Sequence, residues 1–216
     1  MKTFSQGIHP RYNKERTQDK AIKELHLPKR VIIPLHQHTG ASCEPLVKVG
    51  DEVYEGQKIG DTGKFISAPV HASISGKVTK IDKLLHPCGV NILSVVIEAI
   101  ETAVSGKQRA VSRDPESVTP EEIRKLVREA GIVGLGGAAF PTHVKLTPPE
   151  GKKIDTILIN GCECEPYITA DYRIMLEKSE HVVSGAILIA KAAGAEKIMI
   201  GIEDNKPDAI ERMKSV

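Results

Sequence analysis

The sequence contains no tryptophan, and aromatic residues make up only 3% of its 216 positions. Single-stranded nucleic acid is held by rows of exposed rings, so that class of binder is disfavoured at once. A strong charge of either sign is also missing. Thirty Lys and Arg stand against 28 Asp and Glu, a formal net charge of +2, and no basic stripe is visible. Nucleic-acid binders carry such a bias, so no nucleic acid is expected as a partner. Long apolar runs are absent. The longest apolar region, 182–202, is broken by Lys191, Glu196 and Lys197 and reads as a helix then a strand, with no membrane span. Near the start, "IHPRYNKERTQDK" is polar and no apolar signal-peptide core appears. Cysteine is sparse: Cys43, Cys88, Cys162 and Cys164, which without an export signal read as reduced thiols of a cytosolic protein. What remains is a chain long enough for a sizeable core in one or two domains.

Its two halves differ in texture. From about 30 to 100, "RVIIPL", "PLVKVGDEV", "ISAPVHASISGKVTKI" and "SVVIEAI" read as short strands separated by Gly-Asp and Ser-Gly turns. That pattern predicts a compact all-β barrel or sandwich. Residues 101–118 are polar, mixed in charge and weakly periodic, and read as a linker. From 119 to 216 helix and strand alternate. Thr119, Pro120 and Glu122 form an N-terminal helix signature, with Ile123, Leu126 and Val127 on one face and Gly131 as a stop. "KIDTILIN" reads as a buried strand, 169–178 and 181–193 as helices stopped at Gly194, and "KIMIGIE" as a second strand. Asn205 or Asp204 is expected to cap a last helix with Pro207 early in it. Strand, helix, strand predicts a right-handed crossover and a parallel sheet. The last helical pattern reaches Val216 without a cap and reads as a cut chain.

Two motifs carry chemistry. "GLGGAAFPTHVKL", 134–146, is poor in side chains and holds one cation, Lys145. Glycine lets backbone N–H groups approach an anion closely, and a nearby lysine adds positive potential. Gly134, Gly136, Gly137 and Lys145 are therefore candidates for a phosphate, with Ala138 leaving a clear face and Phe140-Pro141 a rigid turn and apolar wall for a flat ring. The pattern is neither a Walker A loop nor the usual dinucleotide fingerprint. On glycine content alone, a tight packing loop is equally good. The second motif, "INGCECEPY", follows a strand, and ligands of open parallel sheets bind beyond strand carboxyl ends. Asn160 offers an amide, and Glu163 and Glu165 offer acceptors for ribose hydroxyls or a ring N–H. Both motifs are expected to meet at one sheet edge and seat a phosphorylated redox ring.

Together, "GLGGAAFPTHVKL" and "NGCECEPYITADYR" resemble the C subunit of the Rnf electron-transport complex. "GIHP", "PLHQHTGASCEPLVKVGDEVYEGQKIG", "SAPVHASISGKV" and "GIEDNKP" extend the resemblance over nearly the whole chain. A more distant resemblance is to the NADH-binding flavoprotein subunit of respiratory complex I, where the loops read like G-R-G-G-A-G-F-P-T-G-x-K-W and N-x-D-E-x-E-P-G. Relative to that pattern Leu135 replaces Arg, Ala139 and His143 replace Gly, Leu146 replaces Trp, Cys162 replaces Asp, and Tyr167 replaces Gly. The resemblance implies a barrel-sandwich hybrid at 30–100, a linker at 101–118, and a Rossmann-like FMN/NADH domain at 119–216, truncated at its C-terminus. It implies FMN and NADH bound by Gly134, Gly136, Gly137, Ala138, Phe140, Lys145, Asn160, Glu163 and Glu165, with no side chain acting as acid or base. Four-iron four-sulfur clusters are expected only after Val216. The implied setting is a peripheral subunit on the cytoplasmic face of a bacterial membrane complex, with the other Rnf subunits as partners and ferredoxin reached indirectly. The fragment alone is expected to be inactive.

No run of cysteines suited to an iron–sulfur cluster occurs within the chain. Cys162 and Cys164 have the wrong spacing for a zinc knuckle and read as free thiols. His36 and His38 alternate and would share one strand face; a metal pair is conceivable, but packing of the β domain is the favoured role. His71, His86 and His143 have no evident partner in the sequence. "GDEVYEGQKIGD" with "SAPVHASISGKV" also resembles the biotinyl and lipoyl carrier hammerhead. Carriers present a lysine at a hairpin tip, and "APVHASISG" has none. Two rivals therefore stand beside the redox reading: a degenerate carrier module, tested by mass spectrometry for a lysine adduct, and a docking scaffold that binds no flavin.

Overall fold

The computed structural model describes residues 8, 10–100, 114–135 and 137–216. The expected linker thus falls mostly outside the described residues, and Gly136 lies outside them too. The chain divides into two compact units, residues 25–152 and residues 1–24 with 153–216. This division differs from the expected one. The segment after the linker, including the glycine loop, packs with the β domain, and the N-terminal segment packs with the α/β part.

In the first unit, strands β1 (Arg30–Pro34), β2 (Glu44–Pro45), β3 (Glu52–Val53), β4 (Lys58–Asp61), β5 (Val70–His71), β6 (Gly76–Leu85) and β7 (Asn91–Ala99) form two antiparallel sheets. Their orders are β1-β7-β6-β3 and β2-β4-β5. The long β6–β7 hairpin is the spine, with a register shift between Val78 and Lys80. Ser94 to Ile97 are all buried, so β7 is covered on both faces at its centre. Leu35, Val53, Ile59, Val78, Val95 and Ile97 belong to one core, each less than 3% exposed. Each fully buried side chain of this size contributes roughly 1.5–3 kcal/mol, which accounts for short strands holding together.

Helix α1 (Pro120–Glu129) starts with the expected capping box. The Thr119 hydroxyl accepts from the Glu122 N–H, and the Glu122 carboxylate accepts from the Thr119 N–H. An ion-pair cluster fastens its C-terminal end to β4. Arg128 meets Asp61 at 2.8 Å and Lys58 meets both Asp61 and Glu129, at 2.9 and 2.5 Å. A short helix that the sequence did not announce, α2 (Thr142–Lys145), follows the glycine loop.

In the second unit, β8 (Thr156–Asn160) and β9 (Lys197–Gly201) pair in parallel, as expected from the strand–helix alternation. Between them run α3 (Ala170–Glu177) and α4 (Ser179–Ala193), and α5 (Pro207–Lys214) ends the chain. Helix α4 packs against both strands. The sequence pattern predicts a buried β8, yet Leu158 is 71% exposed and its register partner Met199 is 60% exposed. In a two-stranded sheet, α4 covers one face and these two side chains stand on the other. The predicted cap of α5 also differs. Lys206 holds the N-cap position, and neither Asp204 nor Asn205 gives a side-chain cap. No helix among the described residues is long and apolar enough to cross a membrane.

Candidate functional site

The glycine loop sits in the first unit, between α1 and α2. A backbone bridge between Val133 and Pro141 closes its neck. The Gly134 N–H donates to the Phe140 carbonyl at 2.9 Å, and the Thr142 N–H to the Ile132 carbonyl at 3.0 Å. Pro141 is buried and leads straight into α2, so Phe140-Pro141 forms a helix entry in place of the expected turn. On the loop's other side, Thr39 of the "HQHTG" stretch takes hold of it. Its hydroxyl donates to the Ala138 carbonyl at 2.5 Å and its N–H to the Ala139 carbonyl at 3.2 Å. Ala139 has φ 49, the left-handed region that glycine favours.

Helix α2 carries Lys145 back toward Gly134. A Cβ added at Gly134 would stand 3.0 Å from the Lys145 ammonium, so the missing side chain leaves that space open. Lys145 is exposed, and its ammonium makes no hydrogen bond or ion pair among the described residues. Gly137 has nothing within 4 Å of where its Cβ would stand. A bare backbone beside an uncommitted ammonium fits a phosphate. Gly137, Ala138 and Ala139 also border an open cleft of about 850 Å³, whose opposite walls include His36, His86 and Ile92. Sequence reasoning missed that the β domain supplies these walls. The "PLHQHTG" motif was the one signal that could have shown it.

His38, His143 and His86 take structural partners. His38 is buried, and its Nε2 accepts from the Ala68 N–H at 3.1 Å beside the Ser67 hydroxyl. Burial pushes its pKa down. It lies beyond the end of β1, as does His36, so the two do not share a strand face as expected. His143 on α2 is buried and donates from Nε2 to the Phe65 carbonyl at 3.0 Å, with burial again lowering its pKa. His86 Nδ1 accepts from the Cys88 N–H at 3.2 Å. Among the described residues no group of three or more His, Cys, Asp or Glu is placed to hold a metal.

The acidic loop belongs to the second unit, at the carboxyl end of β8. Asn160 accepts from the Cys162 N–H at 3.1 Å, a local turn that leaves its amide nitrogen for another acceptor. Gly161 brings the loop close to β9; its N–H donates to the Gly201 carbonyl at 2.8 Å, and a Cβ there would meet Met175 at 3.0 Å. Glu163, expected among the ligand-facing carboxylates, is buried, and its carboxylate is taken up by α3. It accepts from the Asp171 N–H at 2.6 Å and the Tyr172 N–H at 3.2 Å. It thus does the capping that the Thr169 side chain does not. Glu165, in contrast, is exposed, and its carboxylate makes no hydrogen bond or ion pair among the described residues. Lys206, from the "GIEDNKP" motif, braces the loop. Its buried ammonium donates to the Cys162 carbonyl at 2.7 Å and the Glu203 carboxylate at 2.6 Å. All four cysteines are free. Desolvation and then the Glu203 carboxylate push the Cys164 thiol up.

Comparison with known proteins defines the class first. Residues 2–102 match the RnfC barrel sandwich hybrid domain, and residues 127–216 match the Nuo51 FMN-binding domain. The glycine loop thus belongs by sequence to the FMN-binding domain while packing with the barrel-sandwich β strands. The C subunit of the Na(+)-translocating ferredoxin:NAD(+) oxidoreductase complex of Acetobacterium woodii is 47% identical over 98% of this chain and 48% of its own length. The C subunit of the proton-translocating ferredoxin:NAD(+) oxidoreductase complex of Clostridium ljungdahlii is 47% identical over 99% of this chain and 47% of its own length. The C subunit of the ion-translocating oxidoreductase complex of Rhodobacter capsulatus is 40% identical over 96% and 40%, respectively. The chain belongs to the family of Rnf C subunits and matches their N-terminal portion. It spans about half the length of the first two relatives.

Proposed function

We propose that this chain is the FMN- and NAD(H)-binding portion of a subunit that passes electrons between NAD(H) and the iron–sulfur centres of a ferredoxin:NAD oxidoreductase complex. The parallel β8–β9 pair with its helices is then the start of a Rossmann-like domain. Four-iron four-sulfur clusters belong to the part of the relatives' length that this chain does not span, and the subunit sits peripherally at the cytoplasmic membrane face with the other Rnf subunits. One observation carries the reading: the uncommitted Lys145 ammonium stands over the space that Gly134 leaves free.

The residues of each loop suit groups that a flavin or nicotinamide nucleotide carries. In the first unit Lys145 and the N–H groups of Gly136 and Gly137 hold a phosphate, Gly134 leaves room for the ammonium while its own N–H closes the loop on the Phe140 carbonyl, and Phe140 gives an apolar wall. In the second unit, taken by itself, Asn160 and Glu165 hold ribose hydroxyls or a ring N–H, while Glu163 keeps their loop in shape from within. Bound FMN supplies the exchange between the two-electron chemistry of NAD(H) and the single-electron chemistry of iron–sulfur centres. The chain's own work is to bind and orient, so no side chain needs to move a proton. The test is titration of FMN and NADH into the subunit at its relatives' full length. Each lost charge-assisted hydrogen bond is worth roughly 1.5–3 kcal/mol, so Lys145→Ala and Glu165→Ala should each weaken binding at least about tenfold. Unchanged affinity for both ligands in both variants overturns the assignment, and a colourless full-length protein favours the docking scaffold.

A further inference from the structure

Two residues of the acidic loop hold a backbone conformation that L side chains rarely adopt: Glu163 with φ 51 and Tyr167 with φ 67. Such strain persists only where the surroundings over-determine it. Both are tied to one distant segment. Lys14 donates its ammonium to the Glu163 carbonyl and, at 2.9 Å, to the Ile168 carbonyl. The Tyr12 carbonyl accepts from the Tyr167 N–H at 2.7 Å, and the Arg16 guanidinium lies 5.7 Å from the centre of the Tyr167 ring. Further along, Thr17 and Thr169 share a hydroxyl hydrogen bond of 2.9 Å, Arg173 donates to the Gln18 carbonyl at 3.0 Å, and the Ile22 N–H reaches Glu177 at 3.1 Å. The segment from Tyr12 to Ile22 is a strap laid along the loop and α3. Between the two pinned residues stands Glu165, whose carboxylate the strap leaves free.

We propose that Lys14 is a positioning residue for nucleotide binding. By holding the Glu163 and Ile168 carbonyls it fixes the bend that presents Glu165, so the N-terminal strap is part of the binding apparatus through the loop it holds. The inference rests on the reading of Glu165 as a ligand to FMN or NADH. Arginine has the reach and the donors to bridge two carbonyls; methionine fills the space and donates nothing.

The experiment uses the full-length subunit, titrated with FMN and with NADH. For whichever ligand Glu165→Ala weakens, Lys14→Met is expected to raise Kd about tenfold and Lys14→Arg to stay within about threefold of wild type. Adding Lys14→Met to Glu165→Ala should cost little more, because Lys14 acts through Glu165; a merely structural lysine would add its full effect. Amide exchange at Tyr167 should quicken in Lys14→Met with no ligand present. Should Lys14→Met fail to fold, Thr17→Val removes a peripheral bond of the same strap and is expected to weaken binding about threefold. Wild-type affinity in the strap variants, while Glu165→Ala weakens binding, overturns this inference alone. Wild-type affinity in Glu165→Ala as well overturns the nucleotide reading of the loop with it.

Discussion

Replacing Asp61 by Asn tests what holds α1, and the glycine loop that follows it, on the β domain. One Asp61 oxygen accepts from Arg128 at 2.8 Å and from the Thr62 N–H at 2.7 Å; the other accepts from Lys58 at 2.9 Å. Burial alone would push the Asp61 carboxyl up. The donors outweigh it, Arg128 first and then Lys58 and Thr62, and hold its pKa down at about 2 against an ordinary 3.8. A shift of that size corresponds to about 2.5 kcal/mol, at about 1.36 kcal/mol per unit. Only 19% of the side chain is exposed, so solvent screening removes a modest part and leaves roughly 2 kcal/mol. The folded pKa is depressed, so this stabilisation is fully present above the ordinary carboxylate range and is lost as pH falls toward 2. At pH 3 about 1 kcal/mol of it has gone by the same linkage. Urea unfolding of wild type and Asp61→Asn, at pH 7 and pH 3 and constant salt, should show a gap near 2 kcal/mol that shrinks by about half. A gap below about 0.5 kcal/mol at pH 7, within the range of ordinary exposed pairs, refutes the anchor. A gap of the same size at both pH values refutes the charge as its cause.

Other outcomes follow from the two loops. Glu163→Gln leaves one of the two α3 amides facing an NH₂ group, so it should cost about 2 kcal/mol in thermal or urea unfolding and speed exchange at Asp171 or Tyr172; an unchanged stability would mean the carboxylate is not the cap. Gly134→Ala meets only the flexible end of Lys145 and puts no strain on the backbone, so melting should shift little while FMN titration shows a clear loss of affinity as the ammonium is displaced. A large fall in melting temperature with unchanged FMN affinity would make Gly134 a packing glycine.

Much of the fold was legible because local chemistry agreed with the final packing. Thr119, Pro120 and Glu122 spell a capping box, and the box forms. The β-branched runs at 30–34 and 94–97 are strands because both end up in one core, and the alternation of strand and helix after 150 produces the parallel pair. What stayed illegible depends on residues far apart in sequence. Nothing around Thr169 reveals that Glu163 caps α3, since the bond joins a loop to a helix that begins only at Ala170. Nothing around Lys14 reveals a partner 149 positions away. Lys206 looked like part of a motif, and only the fold shows it buried under the Cys162 carbonyl. The two candidate loops were legible, and the division of labour within the acidic one was not: composition cannot tell a carboxylate that supports a loop, Glu163, from one that stands free, Glu165.

The departures from the complex I pattern make the same point in physical terms. At Ala139 and Tyr167 that pattern has glycine, and here each position keeps a left-handed backbone despite its side chain, with φ 49 and φ 67. A Cβ in that region costs about 1–2 kcal/mol. Relaxing either residue would reshape its loop, so something must offset the cost in place. At Ala139 the offset is Thr39, which holds the carbonyls of both Ala138 and Ala139. At Tyr167 it is Tyr12 and Arg16 of the strap. Glycine makes such a bend by its own freedom, whereas this chain makes it by contacts reaching in from elsewhere in the sequence. The shapes of both loops therefore depend on "HQHTG" and "RYNKER", two stretches that carry none of the groups proposed to bind phosphate or ribose.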